Sequence, residues 1–140
     1  MTNDILNNMK RVCSLYDVTT INITTLYKIN NKHYIFDWFD IIDGCDYYNV
    51  FEVSIHDLND YVNKQKPLIS IYKNIKSYSN VKLEKSKFIL ISDNIPPTPF
   101  NSSIYTTYFN EDDCRDYFYI KEYVKNQINK ERILKLRKLI

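Results

Sequence analysis

A cluster of prolines constrains the fold of this chain more than any other feature. Pro96, Pro97 and Pro99 are three of the four prolines in the sequence, and they lie within four positions. Each proline fixes φ and removes a backbone donor, so this segment is stiff, extended and non-helical. The apolar run Phe88–Ile91 before it is typical of a buried strand. The sequence therefore predicts a strand, a rigid proline elbow, an exposed loop and then a long charged helix.

The composition is that of a globular chain with unusual residue usage. Its 140 residues are enough for one domain, predicted over 1–140, and a hydrophobic fraction of 44% excludes a disordered protein. The sequence has one glycine, Gly44, and no alanine, whereas Ile, Asn, Lys and Tyr are abundant. Those abundant types have AT-rich codons. The 13 tyrosines therefore indicate an AT-rich genome, such as that of a virus, plasmid, organelle or parasite, and not a function.

The first forty residues show a helix pattern followed by a hairpin pattern. Thr2 or Asn3 can cap a short helix that continues to about Leu15. From residue 21 to residue 39, apolar residues alternate with polar ones on both sides of Asn30–Asn31. Because asparagine tolerates positive φ, this pair suits a tight turn, and the segment predicts a β-hairpin.

Further elements are predicted before the proline elbow. The Asp43–Gly44 pair indicates a second turn, and residues 47–54 look like another strand. Ser54 can cap one or two helical turns that reach about Val62. A short apolar run covers residues 68–72, and the polar segment 73–87 predicts a loop.

The C-terminal part predicts one long helix with its charges sorted by sign. Asn110 opens it, and acidic residues at 111–113 occupy its first turn, where the helix dipole favours negative charge. An apolar stripe starts at Tyr117. The expected fold class is α+β, with a hairpin-containing N-terminal half, a proline elbow and loop, and one long C-terminal helix. The basic residues at the far end of the helix are Lys130, Arg132, Lys135, Arg137 and Lys138.

The motifs of common catalytic and metal sites are missing. A single glycine excludes Walker-type and dinucleotide-binding loops, and neither GxSxG nor HExxH occurs. His33 and His56 have no nucleophile at motif spacing, so each is interpreted as a strand or helix-surface histidine. Cys13, Cys45 and Cys114 are far apart and odd in number, which argues against a disulfide framework or a zinc site. We expect no cofactor, reduced thiols, and a cytoplasmic protein without a signal peptide or membrane segment.

An ordered series of segments runs from residue 87 to residue 135. Lys87–Leu90 is an apolar strand, Ile95–Pro99 the proline elbow and Ser102–Ile104 part of the loop after it. Asn110–Cys114 then opens the acidic helix start, and Tyr123–Ile133 continues the helix with basic residues. In its order and spacing, the series resembles the clamp and lid region of the largest, β′-type subunit of multisubunit RNA polymerases.

The resemblance has gaps. Asn101 stands where the family has an arginine and Lys87 where it has a tryptophan, so a phosphate contact by that arginine is not implied. The segment Cys45–Val53 lacks the family's other zinc cysteines, so no zinc is implied, and the magnesium-binding aspartate motif is missing. A β′-like segment on a separate short chain is similar to the small RNA polymerase subunits of cytoplasmic linear plasmids of yeasts.

The resemblance implies a non-catalytic small subunit of a DNA-dependent RNA polymerase that completes the clamp of a large catalytic subunit. Residues 100–110 would form a lid that separates nascent RNA from template DNA at the upstream end of the hybrid. Aromatic side chains there can stack on unpaired bases, and the basic helix end can meet phosphates. The expected nucleic-acid-binding residues are Phe100, Asn101, Tyr105, Tyr108 and Phe109 in the loop, and Lys130, Arg132, Lys135, Arg137 and Lys138 in the helix.

Plainer interpretations stay open at this point. The loop aromatics can instead pack on the protein's own surface or on the large subunit, and the basic residues can be a solvated helix end. The sequence also fits a stand-alone viral or plasmid protein that binds single-stranded DNA or RNA. A host-interaction protein with no nucleic-acid role is a third possibility.

Overall fold

The computed structural model describes residues 1–19, 21–97 and 106–139, and its main feature is one antiparallel sheet of six strands. The elements are α1 (Asn3–Asn8), β1 (Lys10–Val18), β2 (Ile21–Ile29), β3 (Lys32–Ile42), β4 (Cys45–Val53), α2 (Ile55–Val62), α3 (Ile69–Lys73), β5 (Tyr78–Glu84), β6 (Lys87–Ile95), a 3-10 turn (Glu111–Asp113) and α4 (Tyr117–Lys138). The strands pair in chain order, with β1 and β6 at the two edges. The α+β class, the N-terminal hairpin and the long C-terminal helix are therefore confirmed.

Two of the strand connections were predicted correctly from the residue types at their turns. Asn30 has φ +54° in the β2–β3 turn, and Asp43 and Gly44 have φ +51° and +76° in the β3–β4 turn. The β5–β6 turn uses Lys85 and Ser86 at φ +49° and +66°, which neither residue type signals in a sequence. The loop predicted for residues 73–87 is therefore wrong, because β5 lies within it.

The N-terminal helix is shorter than predicted. Thr2 caps α1 as expected, since its hydroxyl accepts a hydrogen bond from the backbone N–H of Ile5 at 3.2 Å. The helix ends at Asn8, and the rest of the predicted helix is strand β1. Cys13 and Leu15, two residues apart as on one face of a strand, are both buried there. Pairing with β2 therefore outweighs the helix that the local sequence predicted.

The sheet separates two hydrophobic clusters, because neighbouring residues of a strand point to opposite faces. Ile35 belongs to the larger cluster, which α2, α3 and α4 cover with buried side chains such as Tyr61 and Val124. Phe36 belongs to the smaller cluster, which α1 covers with Leu6. Helices α2 and α4 are thereby held side by side on one face of the sheet, where the candidate site lies.

Strand β6 is an edge strand that α1 covers. The Asn7 side chain donates to the carbonyl of Phe88 and accepts from the N–H of Phe88, both at 2.8 Å, and Asn3 accepts from the N–H of Leu90 at 2.7 Å. These contacts satisfy backbone groups that an open sheet edge leaves unpaired. The buried strand predicted for Phe88–Ile91 is corrected accordingly: its first three side chains are half-buried and Ile91 is exposed.

Helix α4 begins at Tyr117 and not at Asn110. The Asn110 side chain does act as a cap, accepting from the N–H of Asp112 at 3.0 Å, but it caps the separate 3-10 turn. The helix cannot start earlier because Cys114 has an extended backbone, with φ −141° and ψ 107°, and is buried. None of the helices in the described ranges is long and apolar enough to cross a membrane.

The start of α4 is fixed to strand β1 by carboxylates. Asp17, which is buried, accepts from the backbone N–H of Arg115 at 2.9 Å. Asp116 accepts from the backbone N–H of Ser14 at 2.7 Å, and so covers the β1 edge. Since both contacts join residues about a hundred positions apart in the chain, they set the direction in which α4 leaves the sheet.

Candidate nucleic-acid interface

The structure divides the predicted loop residues into different environments. Phe100, Asn101 and Tyr105 lie outside the described residues. The Tyr108 side chain is 54% exposed, whereas that of the neighbouring Phe109 is only 2% exposed. An exposed phenol ring can reach a ligand directly, but a buried ring would first have to leave the core.

Phe109 packs against the protein itself. Its ring centroid lies 5.5 Å from that of Tyr61 at an interplanar angle of 75°, and the Lys121 ammonium lies 5.9 Å from the Phe109 centroid. Close by, the carbonyl of Thr107 accepts from the N–H of Leu68 at 3.0 Å. For Phe109, the interpretation that a loop aromatic packs on the protein itself therefore fits. This residue anchors the chain where it returns to α2 and α4.

The five predicted basic residues of the helix are all exposed on the last turns of α4. In the part of the chain that the structure describes, none of them forms an ion pair with a carboxylate, whereas Lys121, near the helix start, is 2.9 Å from Glu111. Large apolar side chains lie among them and are 50–84% exposed. This distal end of α4, defined as residues 130–139, is cationic and uncovered. Its apolar members are Ile133, Leu134, Leu136 and Leu139.

Of the predicted loop residues that the structure describes, Phe109 lies far from the basic residues at the helix end. Phe109 lies beside Lys121, and the basic set begins nine residues later at Lys130. At the helical rise, Lys130 is about 14 Å and Lys138 about 26 Å along the axis from Lys121. Phe109 and the five basic residues therefore lie at opposite ends of α4.

A cleft of about 590 Å³ opens beside the distal end of α4, and no sequence pattern indicated it. Its walls are the β2–β3 turn at Asn30–Asn31, the segment from Glu52 to His56, and one side of α4. His33 and His56, 23 positions apart, both enter it and both contact α4. Their partners are 90 and 75 residues away in the chain, so the pairing comes only from the tertiary structure.

The two histidines differ in their surroundings. His33 is buried, and its Nε2 lies 2.7 Å from the Tyr123 hydroxyl oxygen. Burial, followed by the charge of Lys28, lowers the pKa of His33 below its ordinary value, and burial raises the pKa of Tyr123 to about 12. Both groups are therefore neutral near pH 7, and their contact is a neutral hydrogen bond. His56 is exposed, with Nε2 3.0 Å from a carboxylate oxygen of Glu131.

The serine of the cleft and two of the cysteines are held by the fold. Ser54 lines the cleft, but its hydroxyl accepts from the N–H of Asp57 at 3.1 Å as the cap of α2. Burial raises the pKa of Cys13 to about 12 and also raises that of Cys114, so these thiols are poor nucleophiles. Over the described ranges no three His, Cys, Asp or Glu side chains are grouped so that they could hold a metal ion.

The distal end of α4 and the adjoining cleft thus form the candidate interface, with cations on both and the exposed Tyr108 at the other end of the helix. Comparison with protein-family models, with curated proteins and with solved structures finds no match to this chain.

Proposed function

We propose that this chain is a non-catalytic small subunit of a DNA-dependent RNA polymerase, of the kind found on cytoplasmic linear plasmids. In this proposal it completes the clamp of a large catalytic subunit and supplies a lid-like loop at the upstream end of the RNA–DNA hybrid. The β′-like series between residues 87 and 135 suggests the polymerase. The observation that carries nucleic-acid binding is the cationic, uncovered distal end of α4.

The charge on that helix end supports a polyanionic partner. Four cations, Arg132, Lys135, Arg137 and Lys138, lie within seven residues that contain no acidic group. All four side chains are exposed, and within the described ranges none of them is in ion-pair contact with a carboxylate. Phosphates of a nucleic acid offset cations of this kind and release their own counterions when bound.

Exposed apolar side chains at the ends of strands β1 to β3 support a protein partner in addition. They are 41–57% exposed, where an isolated domain normally keeps large apolar groups scattered. They favour a subunit over the alternative of a stand-alone nucleic-acid-binding protein. The residues are Val18, Ile21, Phe39, Ile41 and Ile42.

The partner is tested by purifying the tagged chain from cells that carry its native genome and identifying co-purifying chains by mass spectrometry. The expected result is a chain of polymerase-catalytic type. If the chain instead purifies alone as a stable monomer that binds single-stranded DNA tightly, the stand-alone alternative replaces the subunit. If it binds neither a polymerase chain nor nucleic acid, both are wrong and a host-interaction role is left.

The helix end is tested by a triple charge reversal, Lys135→Glu/Arg137→Glu/Lys138→Glu, in fluorescence anisotropy with single-stranded DNA. We expect a loss of affinity of about tenfold or more and a salt slope lower by about two. A matched control, Lys73→Glu/Lys76→Glu/Lys87→Glu, makes the same net-charge change at exposed positions elsewhere. Equal losses in both variants would show that binding follows net charge and not the helix end.

The lid-like loop is tested by replacing residues 101–105 with a Gly-Ser linker of equal length. Because the replacement stops short of Thr107, whose carbonyl is bonded to Leu68, subunit assembly should be kept. Displacement of the transcript from the template should fail in a transcription assay with the reassembled polymerase. Loss of assembly would show that the segment is structural instead.

A further inference from the structure

The cleft between the β2–β3 turn and α4 carries a charge pattern that the proposed function does not yet use. Its cationic groups are Lys28 on β2, Lys32 on β3 and Lys130 on α4, and its carboxylates are Glu52 and Glu131. Its volume of about 590 Å³ lies in the range of ligand sites.

Both carboxylates of the cleft are already engaged. Glu52 lies 3.8 Å from the Lys32 ammonium, and Glu131 lies 3.0 Å from Nε2 of His56. Among the described residues, Lys28 and Lys130 therefore keep their charges without a carboxylate partner. The Lys28 ammonium is instead positioned over the Tyr123 ring, 5.9 Å from its centroid. The lining carries three lysines against two carboxylates, an excess of one positive charge, which favours binding of an anion.

Neutral donors complete the lining. The amide groups of Asn30 and Asn31 stand at the turn, and Gln127 lies on the α4 wall. The hydrogen-bonded His33–Tyr123 pair also lines the cleft. Two lysines with several side-chain amides suit the tetrahedral, multiply accepting oxygens of a phosphate better than a single carboxylate.

We propose that this cleft binds a phosphate group of a nucleic-acid strand whose path continues along the distal end of α4. Lys130 belongs to both surfaces, and Lys138 lies about 12 Å further along the helix, a reach of a few nucleotides. The inference deepens the proposed function and rests on its nucleic-acid interface. The β2–β3 turn becomes the second wall of that interface.

The test is the double variant Lys28→Met/Lys130→Met in fluorescence anisotropy, with Lys85→Met/Lys87→Met as a control of equal charge change on the β5–β6 turn. Three probes separate the sources of phosphate: a single-stranded oligonucleotide with 5′-hydroxyl ends, the same oligonucleotide with a 5′-phosphate, and ATP. We expect the cleft variant to lose about tenfold in affinity for both oligonucleotides, and the control to lose little. Urea unfolding of each variant, together with Lys130→Met alone, checks that the fold is kept.

The outcomes separate this inference from the proposed function. A loss confined to the 5′-phosphorylated oligonucleotide keeps the inference and assigns the cleft to the phosphate at a chain end. A loss confined to ATP overturns the strand path and assigns the cleft to a free nucleotide. Unchanged affinity for all three probes, while the α4 triple variant still loses DNA binding, overturns the cleft and leaves the proposed function standing. If the chain binds ATP through the cleft but binds neither an oligonucleotide nor a polymerase subunit, the cleft is a phosphate site and the proposed function is overturned.

Discussion

The two halves of α4 form one continuous helix but differ in what surrounds them. In the first half Ile120 and Val124 are 0% exposed, and the side chains that pack on the larger core extend from Tyr117 to Ile128. In the second half Ile133 and Leu136 are of similar size and are exposed. Apolar residues in a helix therefore mark a core only where other elements reach them, and within the described ranges no element covers those of the second half.

The largest effect is expected from truncating a buried residue of the first half. Ile120→Ala removes a fully buried side chain between the sheet and α2, and should lower the free energy of unfolding by about 3 kcal/mol. The matched change Ile133→Ala, on the second half, should cost about 0.5 kcal/mol or less. Urea denaturation of both variants measures the difference, and similar values would show that the two halves are packed alike.

A somewhat smaller effect is expected where the first half is fixed to β1. Asp17 accepts hydrogen bonds from the Ser14 hydroxyl, the Asn22 amide and the Arg115 N–H, each at 2.9 Å. Asp17→Ala leaves these donors without their acceptor and should cost about 2 kcal/mol in urea denaturation. Asp112→Ala, an exposed carboxylate beside the same junction, is the control and should change little. Equal costs would mean that the junction does not hold α4.

The free energy of unfolding should depend on pH through His33, which is hydrogen-bonded to Tyr123 in the middle of α4. Because its folded-state pKa lies below the ordinary 6.5, the unfolded state binds more protons as pH falls. Stability is therefore full above pH 6.5 and falls as the pH decreases towards the folded pKa. His33→Gln should remove this part of the loss between about pH 7.5 and about pH 5.5. His56→Gln, at the exposed histidine that lines the same cleft, should keep it, and the opposite result would contradict the assignment.

The smallest effect on stability is expected at the helix end. Leu136→Ser/Leu139→Ser alters two exposed side chains, and each change should shift the free energy of unfolding by less than about 0.5 kcal/mol. Co-purification of the proposed polymerase partner, measured in parallel, tests whether these groups contact it. A stability loss comparable to that of Ile120→Ala would show that the distal end packs on the chain itself.

Local chemistry made several elements predictable. The asparagine turn at Asn30, the Asp43–Gly44 turn and the Ser54 cap are each set by a few neighbouring residues, and the structure confirms them. Strands β1 and β5 were missed because their identity depends on pairing with a neighbour. Lys85–Ser86 carries no turn signal, and the spacing of Ile5, Met9, Val12 and Leu15 also fits a helix.

Of the candidate site, only the positive charge could be predicted from the sequence. The basic run of α4 is visible in the sequence, but Lys121 at its start is neutralised by Glu111, and the later residues are left without such a partner within the described ranges. Tyr108 and Phe109 are adjacent aromatic residues, yet one is exposed and the other is buried against Tyr61. Burial of one ring depends on contacts that no local pattern encodes.

The sequence by itself determined the α+β class, the turns at Asn30 and at Asp43–Gly44, the Thr2 and Ser54 caps, and the basic character of the last helix. These features follow from backbone preference and composition over short stretches. Only the tertiary structure decided where α4 begins, which of its cations stay unpaired, and that His33 and His56 meet Tyr123 and Glu131 in one cleft. Those features depend on contacts between residues 75 to about a hundred positions apart, which form only when the sheet brings its strands and helices together.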